Sequence, residues 1–328
     1  MDEYEKIETV GSPKELFKDE LNYGAIMKYL LDFYYFEHIL AFNDFRNELI
    51  YKNRFLPSLE LYEKIIDPLI KNKDRATYIV NKNDKKNKFF RARIYEPNFA
   101  KLMREALNFS DIDKKTKADL YNLFKNININ NEQNEIFIIS SQIESLLTPE
   151  QASAYKQFLK RKKFQGYDKA NSGAPPADSV AEGRVNPAKI KYLYIAEHVD
   201  TAIYEVKPIL NQNVSVATMK AKEDLQLFDF SISIEEKSNS DTPRASMFDT
   251  IGNFFSIPNH GNKEDYLPTQ YIAECIKNIE QPKFDGIRFR SSLHKDGINI
   301  LLFNPDKCEA ISSNVYNIRD INISSEIM

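Results

Sequence analysis

The chain has little glycine, little cysteine, no long apolar run and no excess of charge of one sign. Only 9 of its 328 residues are glycine, fewer than the usual ~7%, so each glycine is expected where the backbone requires it. Two cysteines, Cys275 and Cys308, are too few for a disulfide framework or a cysteine-based metal site. Their scarcity favours a reduced, cytoplasmic setting.

The charge balance, the apolar stretch and the first residues each argue against one kind of partner or destination. Lys and Arg number 45 and Asp and Glu number 48, a net charge of −3, which argues against a nucleic-acid partner bound through bulk charge. The apolar stretch at 26–36 is interrupted by Lys28 and Asp32 and is too short to span a bilayer, so no membrane partner is expected. The acidic start, Met1 to Lys6, lacks the apolar segment of a secretory signal.

Common cofactor and metal motifs are also missing. The sequence contains no G-x-G-x-x-G and no G-x-x-x-x-G-K-[ST], which excludes the usual dinucleotide fingerprint and the P-loop. It contains no C-x-x-C and no H-E-x-x-H, and its four histidines are scattered. We therefore predict no metal site and no prosthetic group.

Two domains are predicted from the pattern along the chain. Residues 1–85 show helical periodicity and are predicted to form a helical N-terminal domain, which ends at a polar, basic run at 81–88. Residues 86–328 are predicted to form the second domain, with a helical insertion at about 101–163. Most glycines and prolines of this part fall at 166–188, which predicts a long loop.

Short strands and helices alternate irregularly in the second domain. The predicted strands are 89–94, 190–196, 214–221, 225–230, 287–290 and 298–303, and the predicted helices include 148–164, 200–206 and 264–279. Thr148-Pro149-Glu150-Gln151 has the residues of a helix N-cap with a glutamine at N3. This arrangement favours an α+β fold over a doubly wound parallel sheet.

One segment combines residue types that suit a catalytic cleft. Arg184 lies in Gly183-Arg184-Val185-Asn186-Pro187, where Pro187 favours an extended backbone before it. The next predicted strand carries Tyr194, and the helix after it carries Glu205 at the margin of an apolar stripe. From spacing alone, the stronger interpretation is that Glu205 is a solvated helix residue and Arg184 a surface loop charge.

The same residues resemble the RES-domain family, named for its Arg, Glu and Ser. The resemblance rests on Gly183 to Pro187, on Tyr192-Leu193-Tyr194-Ile195-Ala196, on Thr201-Ala202 with Glu205-Val206, and on Phe284 to Ser292. It covers about 89–312, and the helical N-terminal region is similar to an extension that some members carry. The chain departs from the family at Ala188-Lys189, where a glycine more often follows Asn-Pro, and at Arg290, where a proline is common before the serine.

The resemblance implies an NAD+-consuming enzyme whose fold is similar to that of ADP-ribosylating toxins, with short mixed strands around an NAD cleft. It implies Arg184, Tyr194, Glu205 and Ser291 as catalytic residues. The neighbouring Asn186, Tyr192 and Ser292 are predicted to bind NAD+. Arg91 and Arg93 are predicted to contact a phosphate of NAD+. The alternative is a salt bridge within the strand.

The resemblance leaves the acceptor and the biological role open. Water or inorganic phosphate would accept ADP-ribose in a glycohydrolase or phosphorylase that acts as a growth-arresting toxin or defence effector. The alternatives are a mono-ADP-ribosyltransferase that modifies a protein and a non-catalytic interaction module. No Glu-x-Glu ends at Glu205, which favours hydrolysis or phosphorolysis over transfer. An antitoxin protein is the expected partner, and a homo-oligomer stays open.

Overall fold

The fold is described from a computed structural model. It describes residues 23–84, 87–96, 113–115, 118, 147–153, 157, 163–232, 246–256 and 263–321. Among these residues, eight strands and seven α-helices are resolved with bounds, and the mixture confirms the predicted α+β class. The predicted helical insertion at 101–163 lies almost wholly outside the described residues.

The chain divides into two compact units, each built from separate stretches of sequence. The first takes residues up to Ile79, Ala177–Ile190 and Leu225–Ser292, and the second takes Val80–Pro176, Lys191–Asp224 and residues from Leu293. The predicted boundary near residue 85 is close to the first change of unit. The assignment of domains as 1–85 and 86–328 stays a prediction.

The first unit combines three strands with five helices among its described residues. Its strands lie in the order β1, β5, β6, and β5 and β6 are parallel. The strands are β1 (Thr77–Val80), β5 (Leu225–Asp229) and β6 (Gly286–Arg290), and the helices are α1 (Tyr23–Tyr51), α2 (Leu59–Ile65), α3 (Asp67–Lys71), α6 (Met247–Ser256) and α7 (Leu267–Lys277). Because β1 lies within the region predicted to be wholly helical, that prediction is wrong at 77–80.

Aromatic rings form the core of this unit. Phe42 of α1 stacks on Phe254 of α6, with ring centroids 3.8 Å apart and planes 6° apart. Phe228 of β5 contacts the edge of Phe284 at 5.1 Å, and Phe255 of α6 is fully buried. This packing places the end of α6 inside the unit, where its last carbonyl groups need partners.

Among its described residues, the second unit contains an antiparallel sheet and two helices. Its strands lie in the order β7, β3, β2, β4, β8, and the four pairings between neighbours are antiparallel. The strands are β2 (Phe89–Ile94), β3 (Leu193–Ala196), β4 (Asn213–Ala221), β7 (Ile298–Leu302) and β8 (Cys308–Asn317), and the helices are α4 (Lys169–Ser172) and α5 (Val199–Glu205).

Helix α5 covers part of the sheet with the apolar stripe that the sequence predicts. Ala202 is buried against Ala92 and Val214, and Val199 and Ile203 pack on the same cluster. The helix begins at Val199 rather than at Asp200, because His198 takes the N-cap position. This packing determines which side of α5 is accessible to solvent.

Two local predictions are confirmed, one from capping residues and one from the glycines and prolines of a loop. Thr148 and Gln151 bond reciprocally: the Thr148 N–H donates to Oε1 of Gln151 at 3.0 Å, and the Gln151 N–H donates to Oγ1 of Thr148 at 3.3 Å. Helical residues follow at 149–153. The loop at 166–188 is also observed, interrupted by α4 and by one 3-10 turn, Ala177–Ser179. Among the described residues, no helix is long and apolar enough to cross a membrane.

Candidate active site

Glu205 is an exposed carboxylate at the last residue of α5. Its Oε1 accepts a hydrogen bond from Nδ2 of Asn299 at 2.6 Å. Asn299 lies on β7, pairs with Ala196 of β3, and is only 6% exposed. A buried amide thus holds one oxygen of a solvent-accessible carboxylate, which limits the orientations that the carboxylate can adopt.

Asn299 was not predicted from the sequence. It is a polar residue near the start of the apolar run from Ile298 to Phe303, at a position that the structure buries. Buried polar groups are almost always hydrogen-bonded, so such a residue indicates a partner nearby. A polar residue within an apolar run could have been identified from the sequence, but its partner, Glu205, could not.

Tyr194 is the exposed residue of β3. Leu193 and Ile195 beside it are 1% and 4% exposed, and Ala196 is buried in the cluster under α5, whereas Tyr194 is 36% exposed. Tyr192 is 4% exposed and packs its ring edge-on against Phe303, with centroids 5.3 Å apart. The ring of Tyr192 therefore contacts another residue of the protein core. Its role in binding NAD+ stays a prediction.

Arg184 is bound to the end of helix α6. Its Nη1 donates to the carbonyl oxygen of Phe255 at 2.6 Å and to that of Ser256 at 3.1 Å. The last carbonyls of a helix have no partner within the helix, and a cation there is favoured by the helix dipole. Arg184 therefore has a structural contact that the sequence did not reveal.

The loop around Arg184 is held by buried side chains. The backbone carbonyl of Arg184 accepts from Oγ1 of Thr269 at 2.6 Å, and Nε2 of Gln270 donates to the carbonyl of Gly183 at 2.8 Å. Asn186 is 4% exposed, and its Nδ2 donates to the carbonyl of Ala181 at 3.1 Å. These bonds position the loop, so direct contact of Asn186 with a ligand stays a prediction.

Ser291 and Ser292 follow directly after β6. Ser291 is half-buried and Ser292 is exposed. Arg288 of β6 forms an ion pair with Asp229 of β5, at 2.9 Å. Arg290, the residue that departs from the family pattern, donates through Nε and Nη2 to the carbonyl of Ser231 at 2.9 and 2.7 Å. These contacts fix the end of the strand from which Ser291 continues.

Arg91 and Arg93 on β2 contact the C-terminus of α4. Nη1 of Arg91 donates to the carbonyl of Ser172 at 3.2 Å, Nη1 of Arg93 donates to the carbonyl of Asn171, and Arg93 lies 5.1 Å from the centre of the Tyr167 ring. Burial, together with the charge of Arg93, lowers the pKa of Arg91 to about 10. Within the described part of the chain neither forms a salt bridge in the strand, since their observed partners are carbonyl oxygens.

The nine predicted residues are divided between the two units. The first unit contains Arg184, Asn186, Ser291 and Ser292, and the second contains Arg91, Arg93, Tyr192, Tyr194 and Glu205. Among the described residues there is no group of three or more His, Cys, Asp or Glu side chains that could hold a metal ion. The assignment of these nine residues to one NAD+ molecule stays a prediction.

Comparison with known proteins gives a single finding. The searches among curated proteins and among solved structures gave no match. The family model of the RES domain matches residues 158–321, half of the chain. This range contains the loop of Arg184, strand β3, helix α5, and the segment of Ser291 and Asn299. On this match, the chain belongs to the RES-domain family.

Proposed function

We propose that the protein cleaves the bond between nicotinamide and ribose in NAD+, with water or inorganic phosphate as the acceptor. Membership of the RES-domain family is consistent with an enzyme or a toxin that acts on NAD+. The observation that carries the proposal is the carboxylate of Glu205, which is accessible at the end of α5 and held by the buried amide of Asn299.

The chemistry of this bond suits a single well-placed carboxylate. The C1–N bond breaks and its electron pair moves to the ring nitrogen, so nicotinamide leaves as a neutral molecule and needs no strong general acid. The ribose passes through an oxocarbenium-like transition state, as in glycoside cleavage. Glu205 stabilises the positive charge that develops there. An oxygen of water or phosphate then bonds to C1, and when water attacks, its proton is released to the solvent.

The other predicted residues bind the substrate in this proposal. Arg184 binds the pyrophosphate, a task that suits a planar guanidinium better than an ammonium. Its bonds to the end of α6 fix where the guanidinium lies. The exposed ring of Tyr194 stacks on nicotinamide, and Ser291 donates or accepts a hydrogen bond that orients the substrate.

The test measures release of nicotinamide from NAD+ by the purified full chain, with and without inorganic phosphate. We expect release by the wild type and a loss of at least about 100-fold in Glu205→Gln, the size expected when electrostatic stabilisation of a transition state is removed. Glu60→Gln is the matched control, because Glu60 is an exposed helix residue bonded to Lys64. Its rate should equal that of the wild type.

The outcomes separate the three functions. Formation of ADP-ribose identifies water as the acceptor, and formation of its 1-phosphate identifies phosphate. ADP-ribose attached to a protein would instead support the transferase, and no consumption of NAD+ would support the interaction module. Release that survives in Glu205→Gln would contradict the role of this carboxylate.

A toxin role follows from the same chemistry. An enzyme that depletes NAD+ should arrest growth when it is expressed, and Glu205→Gln should not. A partner protein that restrains the enzyme is then expected to copurify and to suppress nicotinamide release. Equal growth of cells that express the two proteins at equal levels would argue against a toxin.

A further inference from the structure

The second unit contains a cavity on a side of α5 away from Glu205. Its volume is about 590 Å³, within the range typical of small-molecule sites. Asp200, Ile203, Tyr204 and Lys207 line it, and their spacing places them on one face of the helix and of the turn after it. At 3.6 residues per turn, Glu205 lies about 100° to 160° around the helix axis from these four residues.

A fixed pair of aromatic rings forms one wall of the cavity. The rings of Tyr204 and His294 are stacked, with centroids 5.2 Å apart and planes 12° apart. Nδ1 of His294 is 2.8 Å from Oγ1 of Thr201, which is fully buried. A Cβ on Gly297 would lie 2.8 Å from that Oγ1 and 2.9 Å from that Nδ1, so this close approach requires glycine. The imidazole is therefore held in one position against the tyrosine.

A second wall comes from the end of β8, whose backbone forms hydrogen bonds to the chain at 211–212. The N–H of Asn211 donates to the carbonyl of Ile318 at 2.7 Å, and the N–H of Ile318 donates to the carbonyl of Gln212 at 3.0 Å. This wall supplies a third ring, Tyr316, which is 37% exposed. It also carries Arg319. Backbone hydrogen bonds therefore fix this part of the lining as far as Ile318.

The charged residues of the lining give the chemistry of the ligand. Lys207 and Arg319 supply two cations, and Asp200 and Asp320 supply two carboxylates. An apolar ligand would leave these charged groups without hydrogen-bond partners. A small inorganic anion would not stack on the aromatic rings. A heteroaromatic ring that carries a phosphate and several hydroxyl or amino donors uses all three kinds of group.

We propose that this cavity binds a nucleoside monophosphate. The base stacks on the Tyr204–His294 pair, which accepts different bases because every base has a π-face. Lys207 and Arg319 bind the phosphate. Asp200 and Asp320 accept hydrogen bonds from the ribose hydroxyls or from amino groups of the base. The site is separate from the proposed NAD+ chemistry and does not depend on it.

The test is calorimetric titration of the full chain with AMP, GMP and UMP, and with adenosine and inorganic phosphate as partial ligands. We expect at least one monophosphate to bind with a Kd below about 1 mM, and at least about tenfold more tightly than either partial ligand. Tyr204→Leu should weaken binding at least about fivefold, since stacking of one base is worth about 1–3 kcal/mol. Arg319→Gln, on the other wall, should weaken it similarly.

Matched controls make the result specific to the cavity. Tyr51→Leu and Arg75→Gln change exposed residues of the first unit and should bind as the wild type does. Absence of binding by all three monophosphates would overturn the inference. Binding that Tyr204→Leu and Arg319→Gln both leave unchanged would overturn it as well.

Discussion

The hydrogen bond from Asn299 to Glu205 gives the sharpest prediction of the structure. The change is Asn299→Ala, which removes the buried amide and leaves the carboxylate in place. The bond is 2.6 Å long and its acceptor is a carboxylate, a type worth about 1.5–3 kcal/mol. At 1.36 kcal/mol per tenfold change in rate, the full loss would slow the reaction about 10- to 100-fold.

The exposure of Glu205 decides where in this range the result should fall. Because the carboxylate is open to solvent, water replaces part of the lost bond. We therefore expect kcat for nicotinamide release to fall about tenfold. KM should stay within about twofold of the wild type, because the contact positions a group that acts in the transition state rather than one that binds NAD+.

Two further variants separate positioning from folding. Asn299→Asp places a second carboxylate beside Glu205 and should reduce kcat more than Asn299→Ala does, because the charges repel. Asn278→Ala is the matched control: its amide donates to the carbonyl of Glu274 at 2.9 Å on the surface of α7. If kcat of Asn299→Ala lies within twofold of the wild type in a protein of unchanged thermal stability, the assigned role of Asn299 is refuted.

Two more predictions concern close packing and thiol chemistry. A Cβ on Gly166 would lie 2.1 Å from Oγ of Ser215, whereas on Gly173 its nearest contact is 3.8 Å. Urea unfolding should therefore show Gly166→Ala destabilised by about 1–3 kcal/mol and Gly173→Ala nearly unchanged. Burial raises the pKa of the Cys308 thiol to about 12 and that of Cys275 to about 11. At pH 8 both should react with a disulfide reagent at least about 100-fold more slowly than in urea, and equal rates would contradict the raised pKa values.

Local sequence signals predicted the elements whose pattern is strong. Strand β2 and helix α5 were predicted within one residue, because alternation and an apolar stripe are visible without tertiary contacts. The reciprocal cap of Thr148 and Gln151 was predicted for the same reason. The signals were weak for β1, which is only four residues long, and that strand was assigned to a helix.

Strand β8 shows what local signals could not supply. Its segment, Cys308–Asn317, contains two serines and two asparagines and was not predicted as a strand. It pairs with β4 along its length, from Ala221↔Cys308 to Asn213↔Asn317. The pairing partners of β8 thus lie more than 85 positions away in the chain. Such pairing cannot be predicted from the pattern of neighbouring residues.

The arginines show the same limit for the candidate site. Arg184 is proposed to bind the pyrophosphate, and Arg91 and Arg93 were predicted as phosphate contacts. In the structure, each donates to carbonyls at the end of a helix, α6 or α4. Both uses need a planar cation with several donors. A substitution at Arg184 therefore tests two roles together, whereas Glu205→Gln leaves these helix ends unchanged. For this reason the carboxylate, and not the arginine, is the residue on which the proposed chemistry should be judged first.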